Sequence, residues 1–259
     1  MTNPSAGHEE LVLTGRVMPA SNATFVGVLC STSGADLDVV YKPIAGERPL
    51  WDFPDGHLAY REVAAYLVSE ALGWDVVPQT WLGDGPHGPG MVQRWVTVDE
   101  DQAAVTIVPD GEVPTGWRTS FEGYDDRDRP VRLIHEDSTA MRRIAVFDVV
   151  VNNADRKGGH VLEVAGGHRY GIDHGICFHT DPKLRTVLWG WAGSPLTEDE
   201  TAGLRRLHDA LYGEVGDELG HWLAGSDLDA LLGRCETLLA AGTLPEPDPH
   251  RHAIPWPPF

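Results

Sequence analysis

The chain has 259 residues, of which 42% are hydrophobic and 23% charged, a composition typical of a globular protein with a sizeable core. Its 20 Lys and Arg residues stand against 39 Asp and Glu residues, and the resulting charge of −19 argues against a nucleic-acid-binding protein, because such a charge repels phosphate at long range. No stretch approaches the roughly 18–20 apolar residues that cross a bilayer, residues 1–10 lack the features of a signal peptide, and the three cysteines are widely spaced, so we expect a cytoplasmic protein with reduced thiols and no stable membrane insertion.

The first part of the chain is predicted to be rich in β-strands and to contain one helix. Short β-rich runs occur at 11–13, 24–29 and 39–42, and the turn at 18–24 separates the first two. Apolar residues at helical spacing then predict a helix over 58–72, with Gly73 as its terminating residue. Two further strand-like runs follow at 76–82 and 90–96.

The second part of the chain is predicted to be mainly helical. Residues 97–130 are rich in Asp, Gly and Pro, so we expect an irregular insertion there. A helix is predicted over 137–151, two short strands at 161–164 and 169–172, and a helix that opens on the capping box from Thr197 to Glu200. The last helix is predicted to begin at Ser226 and to stop at Gly242. The order of elements therefore predicts an α+β chain with two unequal lobes, an N-lobe over 1–96 and a C-lobe over 97–259.

Two aspartates lie at boundaries where acidic side chains from different segments can converge. Asp155 follows the end of a predicted helix, and Asp173 comes directly after a predicted strand. Phosphoryl transfer needs such a pair, since one carboxylate orients or deprotonates the acceptor hydroxyl and the other holds the metal that neutralises the triphosphate.

The N-lobe offers groups that suit the phosphates of a nucleotide. Lys42 ends an apolar strand and supplies a cation, and Glu62 on the following helix can pair with it and fix its direction. The turn at 18–24, which includes Ser21 and Asn22, can cover phosphates with its backbone N–H groups, as a glycine-rich loop does.

These motifs together resemble the phosphatidylinositol 3- and 4-kinase family, the lipid-kinase branch of the protein-kinase-like fold. The resemblance lies in the run Asn153-Ala-Asp155-Arg156, in the triplet Asp173-His174-Gly175, and in the strand ending at Lys42. It is greatest to the type II phosphatidylinositol 4-kinases and to bacterial HipA-like kinases. The fold it implies is two-lobed, with a β-rich N-lobe carrying one helix and a mainly helical C-lobe.

The resemblance also implies a role for each matching residue. Asp155, with Lys42 and Arg156, belongs to the catalytic set, and Asp155 receives or orients the acceptor proton. Lys42 contacts the α- and β-phosphates with Glu62 as its partner, and Asp173 binds the metal. Residues 91–95 form the hinge, so Gln93 and Trp95 are expected at the adenine, with Ser21 and Asn22 at the phosphates. Asp148 and Asn153 hold the catalytic loop in shape.

One position departs from the family pattern. The family usually has Asn five residues after the catalytic aspartate, as a second metal ligand, and this chain has His160. Mg²⁺ prefers oxygen ligands, whereas imidazole suits softer ions. Either His160 binds the metal with a preference for Mn²⁺, or it recognises phosphate as a protonated imidazole, or it is not a ligand.

The sequence thus predicts an ATP- and Mg²⁺- or Mn²⁺-dependent kinase acting on a hydroxyl of a soluble small molecule or protein. A phosphoinositide acceptor is disfavoured, because the chain shows neither a basic face nor an amphipathic anchor for an anionic membrane. Two alternatives stay open: a pseudokinase or nucleotide-binding module without turnover, and a HipA-like serine/threonine protein kinase.

Overall fold

Strands with alternating buried and partly exposed residues form a five-stranded antiparallel sheet in the N-lobe. The computed structural model describes residues 8–18, 22–31, 34–53 and 57–259. The spatial order is β1-β2-β3-β5-β4, and the strands are β1 (His8–Arg16), β2 (Phe25–Ser31), β3 (Leu37–Pro43), β4 (Thr80–Gly85) and β5 (Gly88–Arg94). The sheet ends at Arg94, and the lobe boundary after residue 96 stays a prediction.

The predicted N-lobe helix is present as α1 (Leu58–Leu72). It ends at Gly73, whose φ of 71° is a left-handed conformation that glycine adopts without steric cost. On its buried face the guanidinium of Arg61 donates to the Cys177 carbonyl at 2.7 Å and to Oδ2 of Asp227 at 2.9 Å. These bonds fix α1, and the glutamate it carries, against the C-lobe.

The expectation that residues 97–130 are irregular is wrong. They contain β6 (Val105–Pro109) and β7 (Trp117–Tyr124), which pair on either side of β8 (Pro130–Glu136) in an antiparallel sheet of order β6-β8-β7. The Asp, Gly and Pro residues that suggested a loop lie largely in the turns, where Gly111, Gly116 and Asp128 have positive φ. Each strand is short, and its stability comes from cross-strand pairing, which local composition does not show.

This inserted sheet is attached to the C-lobe through His135 on β8. The His135 ring is fully buried, accepts a hydrogen bond at Nε2 from the Gly190 backbone (3.1 Å) and donates from Nδ1 to the Glu136 carbonyl (3.0 Å). It also lies 4.3 Å from the Trp191 ring. Burial lowers the pKa of His135 to about 4, because charging the imidazole there costs its hydration.

We expect the protein to lose stability as the pH falls from about 6.5 to about 4. Between these pH values His135 is protonated in the unfolded chain but not in the folded protein. The free energy of unfolding therefore decreases as the pH decreases. A pKa lowered from 6.5 to about 4 corresponds to about 3 kcal/mol at the acid end. Urea unfolding at several pH values should show that the free energy of unfolding decreases less at acid pH for His135→Gln than for the native chain. An equal decrease in both proteins would contradict this role of His135.

The C-lobe core is built on helices that begin and end largely where the sequence indicates. Helix α2 (Thr139–Val151) is capped by Ser138, whose hydroxyl accepts from the Met141 N–H, and α3 (Glu198–Leu211) opens on the predicted capping box. The last helix starts one residue before the predicted cap, so Ser226 lies in its first turn and does not cap it. The remaining strands and α-helices of the described residues are the hairpin of β9 (Val161–Glu163) and β10 (Arg169–Gly171), and the helices α4 (Glu214–Leu219) and α5 (Gly225–Ala241). Across the described ranges, no helix has the length and apolarity needed to traverse a bilayer.

Candidate active site

A cavity of about 860 Å³ lies between the N-lobe sheet and the C-lobe loops. Its size falls in the range of about 300–1,000 Å³ that is usual for small-molecule and cofactor sites. A second pocket of about 340 Å³ adjoins it on the side of α1. The larger cavity is lined by residues of the sheet, of the segment that follows β5, and of two C-lobe loops, among them Val40, Lys42, Gln93, Trp95, Val96, Asp155, Lys157, His160 and Asp173.

Three charged residues predicted from the sequence meet at the smaller pocket, and two of them, Lys42 and Asp173, also line the larger cavity. Lys42 ends β3, Glu62 lies on the buried face of α1, and Asp173 follows β10. The Lys42 ammonium is 2.7 Å from Oε1 of Glu62 and 2.7 Å from Oδ1 of Asp173. The second oxygen of Glu62 accepts from the backbone N–H of His174 at 2.8 Å. Glu62 therefore connects the lysine to the loop that carries Asp173.

The electrostatics keep Lys42 and Asp173 ionised. Burial alone would lower the pKa of Lys42, but the carboxylates of Asp173 and Glu62 outweigh it and raise the pKa. The same ammonium holds the pKa of Asp173 well below its usual range. Asp173 keeps about half of its side-chain surface exposed (48%), and its backbone has a φ of 64°, which a short polar residue tolerates. Its carboxylate is therefore both charged and open to a ligand.

Asp155 lies in the loop after α2, on the floor of the cavity. Its backbone N–H donates to Oδ1 of Asn153 at 2.9 Å, and its Oδ2 is 3.2 Å from the Lys157 ammonium. Burial raises the pKa of Asp155, and the nearby positive charge of Lys157 opposes that effect. A carboxylate with a raised pKa is a stronger proton acceptor than an exposed one, which is the property that a general base needs.

Arg156 is placed differently from the prediction that counted it among the catalytic residues. Its side chain is completely buried, so it does not reach the cavity. The guanidinium binds Asp148 with Nε and Nη2 at 2.9–3.1 Å, and Nη1 donates to the carbonyls of His160 and Ile172. Because Nη2 also donates to Nε2 of His174 at 2.6 Å, Arg156 ties the Asp155 loop to the Asp173 loop. It is a positioning residue.

The glycine before this loop shows how closely the two segments approach. A Cβ on Gly171 would lie 2.8 Å from Nη2 of Arg156, closer than side chains pack. Asp148, at the far end of the network, also accepts from Asn153 (2.9 Å) and Thr186 (3.1 Å). Every oxygen of this buried carboxylate is therefore occupied, as burial of a charge requires.

His160 presents one ring nitrogen to Asp173. Its Nδ1 donates to the Asp155 carbonyl at 2.9 Å, and its Nε2 is 3.4 Å from Oδ2 of Asp173. Burial lowers the pKa of His160, although Asp173 opposes the change. The neutral tautomer with its proton on Nδ1 directs the Nε2 lone pair at a carboxylate oxygen, so two electron donors face each other. That arrangement fits a cation between them.

The hinge and the phosphate-covering turn agree with the prediction only in part. Gln93 lines the cavity, but its side chain donates to Thr80 and its strand is paired on both edges. Trp95 also lines the cavity, and its backbone N–H donates to the Asp38 carbonyl at 2.9 Å. The Trp95 N–H is therefore engaged within the N-lobe and is not free to bind a ligand. Asn22 lines the cavity and accepts from the Arg48 N–H at 3.0 Å, whereas Ser21 lies outside the described residues.

Sequence reasoning missed three cations at this site, Arg48, Arg94 and Lys157. Lys157 is two residues after Asp155 and contacts its carboxylate. Its position directly after the N-x-D-R motif was a signal that could have identified it. Arg48 lines both cavities from the segment between β3 and α1, and no pattern in the sequence marked it.

A five-stranded antiparallel sheet with one helix, facing a helical lobe across a cleft, defines the protein-kinase-like fold. The solved structure of hydra Fam20 with sugar has this fold in common with the chain: the TM-score is 0.52 at 14% identity, over 92% of this chain and 86% of that one. The fold class predicted from the sequence is confirmed. Within the described residues, no cluster of three or more His, Cys, Asp or Glu side chains holds a metal ion by itself.

The family is shown by a close relative. The chain is 48% identical over 261 residues to protein Rv2133c of Mycobacterium tuberculosis (strain ATCC 25618 / H37Rv), an alignment covering 96% of this chain and 92% of that protein, so it belongs to the same family. It is also 28% identical over 167 residues to phosphatidylinositol 4-kinase gamma 5 of Arabidopsis thaliana, which covers 59% of this chain but 25% of the plant protein. No family model matches the chain. This similarity supports a kinase-like protein, and the lipid-kinase branch stays a prediction.

Proposed function

We propose that the protein is an ATP- and divalent-metal-dependent phosphotransferase that acts on a hydroxyl group. The observation that carries the proposal is the contact of Lys42 with both Glu62 and Asp173 at 2.7 Å across the cleft. These three residues come from two lobes and lie far apart in the chain. They meet at the cleft in the arrangement that phosphoryl transfer uses.

The charge around the cavity supports an anionic substrate. The larger cavity is lined by four cationic residues, Lys42, Arg48, Arg94 and Lys157, and by two acidic ones, Asp155 and Asp173, which gives 4 − 2 = +2. The whole chain carries −19. A positive cleft attracts a polyanion such as a triphosphate. The negative charge of the rest of the protein repels nucleic acid.

Each group has one task in the transfer. Lys42 binds the α- and β-phosphates, and the backbone after Trp95 receives the adenine. Asp155 orients the acceptor hydroxyl and takes its proton. The acceptor oxygen forms a bond to the γ-phosphorus, the bond from that phosphorus to the bridging oxygen breaks, and ADP leaves with the electron pair.

Asp173 and His160 are the residues that would hold the metal. Their facing oxygen and nitrogen donors, 3.4 Å apart, fit a cation that accepts both. When bound, the metal neutralises charge on the phosphate oxygens. The phosphates and water would complete the coordination around these two donors.

We expect His160→Asn to shift the metal preference from Mn²⁺ toward Mg²⁺. Imidazole nitrogen favours the transition ion, and an amide oxygen suits Mg²⁺. Calorimetric titrations in the presence of an ATP analogue should show that the native chain binds Mn²⁺ more tightly than Mg²⁺. In the variant, the ratio of the Mn²⁺ affinity to the Mg²⁺ affinity should be about tenfold smaller. An unchanged ratio would show that His160 is not a ligand.

The smaller pocket suits the acceptor. It adjoins Asp155 and Asp173 and has an apolar wall of Leu50, Leu58 and Ile176. Its volume of about 340 Å³ fits a small molecule or a single protein side chain. The acidic charge of the chain disfavours an anionic membrane as the source of the acceptor.

The test is ATP binding and consumption by the purified protein with Mn²⁺ or Mg²⁺. We expect the native chain to bind ATP and convert it to ADP, and Lys42→Met to lose at least tenfold in ATP affinity. As a matched control, Lys183→Met removes a lysine that pairs with Asp52 outside both cavities and should leave ATP binding unchanged. A native chain that neither binds nor consumes ATP would overturn the proposal.

His160 also favours a second candidate, a nucleotide-binding module without turnover, because it replaces the family's usual metal ligand. Saturable ATP binding with no ADP formed under either metal would identify that function.

A further inference from the structure

The two cavities meet at a small group of shared residues. Five residues line both of them: Asn22, Lys42, Arg48, Asp155 and Asp173. If the larger cavity holds the nucleotide and the smaller one the acceptor, the transferred phosphoryl group must pass this junction. The inference below rests on the proposed function.

The other charges at the junction are already engaged. Lys42 is bound by the carboxylates of Glu62 and Asp173, and Lys157 is paired with Asp155. By contrast, within the part of the chain that the structure describes, the guanidinium of Arg48 makes neither a hydrogen bond nor an ion pair. Arg94 is similarly uncommitted, but it lines only the larger cavity.

The backbone around Arg48 is held on both sides while its side chain stays open. The Arg48 N–H donates to Oδ1 of Asn22 at 3.0 Å, which joins it to the strand-connecting turn above the cavity. The neighbouring Glu47 accepts the Ala59 N–H at 2.8 Å, which joins the same segment to the start of α1. Arg48 therefore has a fixed backbone and an exposed guanidinium, which is an arrangement suited to binding an anion.

We propose that Arg48 binds the γ-phosphate and stabilises it during transfer. Lys42 and Lys157 are already paired with the carboxylates of Glu62, Asp173 and Asp155, so their charges are shared with the protein. Arg48 faces both cavities without such a partner among the described residues, and a guanidinium offers two parallel N–H donors to phosphate oxygens. Arg48 forms and breaks no covalent bond; it balances the charge that spreads over the oxygens as the phosphorus moves to the acceptor.

The test compares ATP with ADP, because only ATP carries the γ-phosphate. Calorimetric titration of the full chain with each nucleotide would be combined with ATP hydrolysis, in which water serves as the acceptor. For Arg48→Ala we expect ADP affinity within about twofold of the native value, ATP affinity reduced to that of ADP, and hydrolysis slowed by about 10²–10³-fold. Arg48→Lys should recover part of the rate, since it keeps the charge but loses the paired donors.

The control is Arg127→Ala, which removes an exposed arginine of the β7–β8 turn and should match the native chain in every measurement. Equal losses of ATP and ADP affinity in Arg48→Ala, or an unchanged ATP-to-ADP ratio with an unchanged rate, would overturn the role of Arg48 while leaving the proposed function intact. A native chain that fails to bind ATP would instead overturn the proposed function itself, and this inference with it.

Discussion

Replacing Asp155 with Asn is expected to slow ATP-dependent phosphoryl transfer by about 10²–10⁴-fold, the range usual for removal of a general base. The amide has nearly the same shape, so the loop that Asn153 and Arg156 hold should keep its conformation. Nucleotide affinity should therefore change little while the rate collapses. The measurement is ADP release under saturating ATP, paired with calorimetric ATP binding.

The pH profile provides a second readout for Asp155. Burial raises the pKa of its carboxyl, and a base must be deprotonated to act, so the rate should fall on the acid side at a higher pH than an ordinary aspartate would give. Asp126→Asn, in an exposed turn, serves as the control and should retain native rates. Native-like turnover by Asp155→Asn would show that another group accepts the proton.

Replacing Arg156 with Met is expected to destabilise the protein by about 3–5 kcal/mol, because it leaves the fully buried Asp148 without its charge partner. For a chain of this size, such a loss corresponds to a fall in Tm on the order of 10 °C, measurable by calorimetry. The same variant removes the hydrogen bonds of Arg156 to the carbonyls of His160 and Ile172, so the two loops at the cavity lose the side-chain part of their connection.

A matched control separates the buried pair from an ordinary ion pair. Arg143 on α2 pairs with Asp199 at 2.8 Å, but both side chains are partly exposed, so Arg143→Met should cost less than about 1 kcal/mol. The double variant Asp148→Leu with Arg156→Met should be more stable than Arg156→Met alone, since no unpaired charge remains. Equal effects of Arg156→Met and Arg143→Met would contradict the scaffold role.

The parts of the site that the sequence predicted are those fixed by local signals. Helix α1 has regular apolar spacing and ends at a glycine. The sequence therefore places Glu62 on the helix that follows the strand of Lys42. Asp155 and Asp173 each follow a regular element, so the ends of those elements bring them to the cleft. In each case a short stretch of sequence contains the information needed.

The parts that were missed depend on contacts between distant segments. The inserted sheet is stabilised by pairing with β8, which the composition of residues 97–130 does not show. The burial of Arg156 depends on Asp148, His174 and two carbonyls that surround it only in the folded chain. Arg48 lies at the junction because Asn22 and α1 hold its segment there, and neither contact leaves a motif.

Lys42 and Asp173 are expected to bind the phosphates and the metal of one nucleotide in the cleft. A crystal structure of the protein with a non-hydrolysable ATP analogue and Mn²⁺ tests it most directly. We expect phosphates at Lys42, Mn²⁺ in contact with Asp173 and His160, and the γ-phosphate facing Asp155. A nucleotide seated away from the cleft, or Mn²⁺ bound without either residue, would contradict it.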